Sequence, residues 1–143
     1  MGTYSAAALL GLPVRLHSIQ LGRPVDLLVD AAAWRALGFL VESSDGASRF
    51  LPFAACQPAE REIAVHSALM LLDDAAFYRK RGVSLRALLG EEIRHDGEAV
   101  GTLLDVLVER GGRIRELELD QNDAIVHVPA AGSRIAGPRL TAA

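Results

Sequence analysis

The feature that most constrains the fold of this chain is an internal repeat with an offset of about 79 residues. Glycine, arginine and aspartate recur in the same order, with short apolar runs between them. The match continues after small gaps, so that 37–42 lies over 115–120 and 49–55 lies over 126–131. The repeat predicts two copies of one small unit. The residues that share the offset are Gly11 and Gly90, Arg15 and Arg94, Gly22 and Gly101, and Asp26 and Asp105.

Each copy has the residue pattern of β-strands. The runs 25–29 and 100–108 are apolar, contain β-branched residues and are bounded by turn formers. Leu117 and Leu119 alternate with acidic residues, which is the period of a strand with one buried face. Turns are predicted at 43–46 and 121–123. The predicted fold is mainly β, with two small barrel-like units in tandem, joined by a short strand and helical linker.

The predicted boundaries follow from the repeat. A unit of this size buries too little surface to be stable alone, so the two units are expected to share an interface and the chain to form a homodimer. The expected segments are a flexible amino terminus at 1–9, a first repeat at 10–60, a linker packed on the barrels at 61–88, a second repeat at 89–131 and a flexible tail at 132–143.

The linker is apolar and is expected to contain short helices. Asp73 is the predicted N-cap of the first helix and Ser84 that of the second, because both side chains can accept a hydrogen bond from the first turn. The apolar residues expected to pack against the barrels are Leu71, Leu72, Phe77, Leu85, Leu88 and Leu89.

The first copy resembles the PRC-barrel family. The resemblance lies in Leu21-Gly22, the run 25–30, the run 35–41 and the run 49–53, in the order of the family's strand, hairpin and closing strand. The second copy matches less closely, with Arg115-Glu116-Leu117 where the first has Leu37-Gly38-Phe39. Together the copies cover about two thirds of the chain.

The resemblance implies a small β-barrel that acts by binding other proteins. The family occurs as the cytoplasmic domain of the photosynthetic reaction-centre H subunit and at the carboxyl end of a ribosome-maturation factor. This chain has no transmembrane helix like the former, and a second PRC-like copy where the latter has an amino-terminal RNA-associated barrel. The part of the comparison that carries over is a protein-binding or assembly module.

Composition and charge limit the partners and the cellular compartment that are expected for this chain. The formal net charge is −3, so no overall basic field draws the chain to nucleic acid or anionic lipid. No apolar run approaches the roughly 18 residues needed to span a bilayer. The one cysteine, Cys56, excludes an internal disulfide. A cytoplasmic protein is expected.

The sequence contains no recognisable catalytic, cofactor or metal motif, so no enzyme activity is predicted. His17, His66, His95 and His127 lack metal-ligand spacing and are expected at surfaces or interfaces. Cys56 is expected to be buried. The carboxylates that flank matched strands are expected to make turn hydrogen bonds or ion pairs with Arg15 or Arg94. They are Asp26, Asp30, Asp105 and Glu109.

The candidate partner-binding residues are Trp34, at a hairpin tip, and the basic cluster Arg79, Lys80 and Arg81. An exposed Trp is a natural interface anchor, although large aromatics are equally common in cores. The predicted function is a non-catalytic interaction or assembly module whose protein partner is unknown. Two alternatives stay open: an adaptor in ribosome or RNA–protein assembly, with an RNA partner that is not favoured, and a small-ligand-binding protein with a cleft between the repeats.

Overall fold

The computed structural model describes residues 2–136, and its fold is mainly β, with a sheet curled into a half-barrel. The strands are β1 Tyr4–Ser5, β2 Val14–Leu16, β3 Ile19–Asp30, β4 Arg35–Ser43, β5 Ser48–Pro52, β6 Cys56–Pro58, β7 Ile63–Val65, β8 Val83–Ser84, β9 Glu92–His95, β10 Glu98–Val108, β11 Ile114–Gln121, β12 Ala124–Pro129 and β13 Ser133–Ile135. The helices are α1 Ala6–Leu9, α2 Ala75–Arg79 and α3 Leu85–Leu88, with short 3₁₀ turns at Phe53–Ala55 and Ala68–Met70.

The strands form two sheets. Sheet I has the order β5-β4-β3-β2-β7-β6, and β8 also pairs with β3. Sheet II has the order β12-β11-β10-β9-β13, and β1 also pairs with β10. The neighbours along each sheet are antiparallel except β2 and β7, which run parallel. Each sheet also includes one strand that is remote in sequence from its other strands: β8 in sheet I and β1 in sheet II.

The hairpins form where the residues favour tight turns. Between β3 and β4, the carboxylate of Asp30 accepts hydrogen bonds from the backbone N–H groups of Ala32 and Ala33, at 3.1 Å each. Between β11 and β12, Asn122 and Asp123 have φ values of 52° and 70°. Two such left-handed residues make the type I′ turn, whose twist matches that of the flanking strands.

The two sheets pair their long strands in matching registers. Asp26 lies opposite Leu40 in sheet I, and Asp105 lies opposite Glu118 in sheet II. A register shift falls just before each aspartate. Gly22 and Gly101 stand where the strands approach closely, because a Cβ there would lie only 2.5 Å from the Glu42 carbonyl oxygen and 2.6 Å from that of Asp120. Both glycines adjoin a β-bulge, since a register shift lies beside Gly22 in the β2–β3 ladder and beside Gly101 in the β9–β10 ladder.

One hydrophobic core runs through both sheets. It contains Leu27 and Phe39 from sheet I, Phe53 from the 3₁₀ turn that follows β5, and Val106 and Leu117 from sheet II, all at most 1% exposed. A second, smaller cluster lies on the other face of sheet I. Its buried members are Leu28, Leu40, Phe50 and Ala75.

The expected flexible amino terminus is wrong for most of its length. Residues 4–9 form β1 and α1, with Ala6 0% and Leu9 2% exposed. The expected tail from Gly132 is wrong at its start, because Ser133–Ile135 pair with β9 as β13. In both places short apolar or β-forming segments gain stability from tertiary burial that a local pattern does not reveal. The end of that predicted tail, 137–143, lies outside the described residues.

The linker differs from expectation in detail. The N-cap of α2 is Asp74, not Asp73, and its carboxylate accepts from the Phe77 N–H at 3.2 Å. Ser84 caps α3 as predicted. Leu71, Leu85 and Leu88 are buried, whereas Phe77 is 43% and Leu89 37% exposed. None of the helices within residues 2–136 has the length and apolar character needed to cross a membrane.

Candidate interaction surface

The two sheets meet at a short antiparallel bridge between Arg35 and Arg113. The Ala36 N–H donates to the Gly112 carbonyl at 2.7 Å, and the Ile114 N–H donates to the Trp34 carbonyl at 2.9 Å. The bridge therefore joins the start of β4 to the start of β11 through the main chain.

Trp34 belongs to this junction and not to an exposed surface. It is 5% exposed, and its indole Nε1–H donates to the Ser133 carbonyl at 2.8 Å. The hairpin turns inward at this point, since Trp34 has φ 51° and its ring packs into the shared core. The suggestion that Trp34 anchors a partner is therefore wrong; it anchors one sheet to the other.

One aspartate carboxylate in each sheet holds the start of a helix from the other half of the sequence. The Asp105 carboxylate accepts hydrogen bonds from the Ser5 hydroxyl, from the Ala7 N–H at 3.0 Å and from the Val106 N–H at 2.8 Å. It thereby ties β1 and α1, at the start of the chain, to sheet II.

The Asp26 carboxylate does the same in sheet I. It accepts from the Ser84 hydroxyl, from the Arg86 N–H at 3.2 Å and from the Leu27 N–H at 2.8 Å. The two halves of the chain thus exchange these elements. β8 and α3 precede sheet II in sequence but pack on sheet I, whereas β1 and α1 precede sheet I but pack on sheet II. The structural role expected for both aspartates is confirmed, whereas the ion pairs expected with Arg15 and Arg94 are not formed.

The hydrogen bonds of Ser5 with Asp105 and of Ser84 with Asp26 were not predicted, although Ser84 was expected as the N-cap of α3. A sequence signal for them exists, because 4–11 (YSAAALLG) and 83–90 (VSLRALLG) match at the same offset as the pairs of glycines, arginines and aspartates. It places Ser5 over Ser84 and Leu9 over Leu88. The segments were missed because each is only one helical turn long and lies outside the strands that defined the repeat.

The basic cluster is exposed, as a candidate partner site requires. Arg79, Lys80 and Arg81 lie at and just after the end of α2, and none of them makes an ion pair with another residue of 2–136. The Arg81 guanidinium lies 4.4 Å from the centroid of the Phe77 ring, and that ring is 43% exposed. We name these four residues the basic–aromatic patch.

A shallow cleft adjoins the basic–aromatic patch. Its volume is about 350 Å³, and Arg81 and Gly82 form one wall of it. Val29, Asp30 and Ile135 contribute to the remainder. The cleft therefore places an acidic side chain and apolar surface next to the patch.

A second depression lies at the far end of sheet I, with a volume of about 650 Å³. Its rim carries Ile19, which is 63% exposed, and Leu69, which is 85% exposed. Arg49 lies beside it, 2.9 Å from Asp45 and 3.1 Å from Asp73. These hydrogen bonds hold the pKa of Asp45 below its usual range and raise that of Arg49.

Cys56 is the one cysteine of the chain, and the structure places it in the core. Burial raises the pKa of the Cys56 thiol to about 12, and its Sγ donates to the Phe53 carbonyl at 3.1 Å. A thiol held neutral in this way is a poor nucleophile. The burial of Cys56 agrees with the prediction from the sequence.

The four histidines lie apart, and no group of three metal-ligating side chains is found in 2–136. His17 and His66 are exposed. His95 lies 2.8 Å from the Ser133 hydroxyl, and His127 lies 3.1 Å from a Glu118 oxygen.

The junction between the sheets is occupied by the shared core, with a cleft of about 420 Å³ on its surface beside Trp34, Arg113 and Arg115.

Comparison with known proteins does not assign this chain to a family. A scan of protein-family models found no match, and a search of curated proteins found none either. The PRC-barrel resemblance therefore depends on the residues quoted for it.

Proposed function

We propose that this chain is a non-catalytic protein-interaction module made of two PRC-barrel-like copies that exchange their leading helices. Two observations support the two copies: the matching strand registers, and the matching contacts of Ser5 with Asp105 and of Ser84 with Asp26. The exchange joins the two copies around one shared hydrophobic core. A rigid β scaffold with a small exposed patch is typical of domains that present a surface to a partner.

The observation that carries the proposed function is the basic–aromatic patch. Three cations without acidic partners in 2–136 stand beside a partly exposed aromatic ring on a chain whose formal net charge is −3. Unpaired cations attract an acidic partner, and an aromatic side chain supplies the apolar contact that interfaces use as an anchor. We therefore propose a protein partner with an acidic segment. We also propose self-association of the chain, because each copy is small and buries little surface alone.

The test is capture of partners from native lysate on the tagged protein, at low and moderate salt, followed by mass spectrometry. The variant Arg79→Glu/Lys80→Glu/Arg81→Glu is expected to lose the partner. The control Arg23→Gln/Arg61→Gln/Arg110→Gln alters three exposed arginines at dispersed positions and is expected to keep it. A partner retained by the first variant as well as the control overturns the assignment of the patch.

A ribosomal or RNA–protein adaptor is the second candidate. It is favoured by the same ring, since Phe77 beside Arg81 is a surface on which an unpaired base can stack. Nuclease treatment of the lysate separates the two candidates. A partner that is lost after nuclease treatment supports the RNA adaptor, whereas a nuclease-resistant partner supports the protein module.

A further inference from the structure

The outer edge of sheet II is open. β12 pairs with β11 and with no other strand of the described chain. The Ala130 N–H donates to the Arg115 carbonyl at 3.0 Å, so the alternation of an antiparallel ladder directs the main-chain groups of Val126 and Val128 toward β11. The main-chain groups of Ile125 and His127 consequently point away from the sheet.

The corresponding edge of sheet I is covered. Phe50 occupies on β5 the place that His127 occupies on β12, since they lie opposite Leu40 and Glu118 respectively. The Phe50 N–H donates to the Leu72 carbonyl at 2.9 Å, and the Leu72 N–H donates to the Phe50 carbonyl at 2.8 Å. Leu72 therefore pairs in sheet I with main-chain groups whose counterparts on β12 have no partner strand within residues 2–136.

β12 lacks most of the features that keep edge strands from pairing. It contains no Lys, Arg, Asp or Glu, and its register against β11 is continuous from end to end. Ile125 is 68% exposed. Pro129, which lacks an N–H, is the one residue that blunts the edge, and it stands at the end of the strand.

We propose that β12 pairs antiparallel with β12 of a second copy of this chain, about a twofold axis at His127. The run Ile125-Val126-His127-Val128-Pro129 is apolar except for His127, and its two valines are placed symmetrically about that residue. In this register Val126 faces the second copy's Val128, and Ile125 faces the second copy's Pro129. A two-fold interface requires such self-complementarity, because one patch must match itself.

The hydrogen bonding of this register agrees with the position of the proline. Each His127 donates to and accepts from the other His127, and each Ile125 N–H donates to the second copy's Pro129 carbonyl. Pro129 serves as an acceptor only, so its missing N–H costs the pairing little. This inference rests on the proposed self-association and specifies its surface.

The first test is sedimentation equilibrium of the full chain over a wide range of concentration. His127→Pro removes the two backbone N–H donors at the centre of the pairing, one from each copy, at an edge that tolerates proline. It is expected to raise the dimer dissociation constant about tenfold. His127→Ala removes the imidazole and keeps the donor, so it is expected to change that constant much less. Circular dichroism verifies that each variant is folded.

The second test is oxidative cross-linking, which decides the matter even if His127→Pro does not fold. His127→Cys places two thiols on facing residues whose Cα atoms lie about 5.5 Å apart, within reach of a disulfide. Ile125→Cys is the matched control, because in this register the two introduced thiols are more than about 13 Å apart along the strands. Cys56 is buried and stays in both variants.

The expected result is a disulfide-linked dimer for His127→Cys and none for Ile125→Cys. A wild-type dimer that His127→Pro leaves unchanged, with no cross-link through His127→Cys, overturns the edge pairing and leaves the proposed self-association standing. A wild-type chain that is monomeric at all concentrations overturns both, while the basic–aromatic patch keeps its own separate test.

Discussion

Sheet I and sheet II share their strand registers but have different outer faces. In sheet I the outer face carries Leu40 and Phe50, and the Phe50 ring stacks on Tyr78 of α2 with centroids 4.3 Å apart. At the corresponding places sheet II carries Glu118 and His127, which lie 3.1 Å from each other. The same backbone thus supports a covered apolar face in one sheet and an exposed polar face in the other.

A glycine shows how far the side chains of the two faces have diverged. A Cβ on Gly38 would lie 2.5 Å from a ring atom of Phe50, so this glycine makes room for the ring. Sheet II has Glu116 at that place, 3.6 Å from His127. The apolar outer face of sheet I and helix α2, which covers it, therefore depend on each other, because neither is stable in water without the other.

The largest expected effect comes from the two aspartates that hold the exchanged helices, Asp105 in sheet II and Asp26 in sheet I. Asp105 is 6% exposed and Asp26 is half-buried, although both accept three hydrogen bonds. Asp105→Ala should lower the free energy of unfolding by about 3 kcal/mol and Asp26→Ala by about 2 kcal/mol, because each leaves N–H groups without their acceptor. Urea unfolding monitored by circular dichroism measures both.

Glu98→Ala, an exposed change on β10, is the control for the aspartate pair and should stay within about 0.5 kcal/mol of wild type. Losses as small as this for both aspartates would show that the exchanged helices are held by their apolar residues alone.

Exchanging the outer-face residues Phe50 and His127 tests whether the two faces contribute equally to stability. Phe50→His places the residue of sheet II in sheet I, removes the stack on Tyr78 and should cost about 2 kcal/mol of stability. His127→Phe makes the reverse change on a half-exposed side chain and should alter stability by less than about 0.5 kcal/mol. Thermal unfolding of the two variants gives the comparison. Equal losses would mean that the face of sheet II is as tightly packed as that of sheet I.

The smallest expected effect at neutral pH concerns the ends of the sheets, because it develops only in alkaline solution. Sheet I ends in the hairpin β6–β7, which contains Cys56, whereas sheet II ends in β13. Burial raises the pKa of the Cys56 thiol from 9.0 to about 12. Below pH 9.0 the thiol is neutral in both the folded and the unfolded chain. Above it the unfolded chain releases the proton first, so stability falls as pH rises toward the folded pKa.

This alkaline loss should approach about 1.4 kcal/mol per pH unit from Cys56 alone. Urea unfolding at several pH values above 9.0 should therefore show a shallower decline for Cys56→Ala than for wild type. Parallel declines would contradict the assignment of a buried, neutral thiol.

The sequence predicted the β class, the turns and the structural role of the aspartates, because strand periodicity and turn residues are local signals. It failed where tertiary burial decides. Trp34 looked exposed at a hairpin tip, yet one hydrogen bond to Ser133, 99 residues away, turns it into the core. Residues 4–9 looked mobile, although their match to 83–88 was present in the sequence. The open edge of β12 is not a local property, since it depends on which strand lies beside it.

The exchanged helices have a consequence for synthesis of the chain. Ser5 leaves the ribosome 100 residues before Asp105, the residue that it contacts. At the usual rate of translation this interval is roughly 5 to 20 s. During that time α1 and β1 have no sheet II on which to pack, although most of sheet I has already been made. A chaperone that binds residues 4–9 of the nascent chain would therefore delay completion of sheet II and not of sheet I.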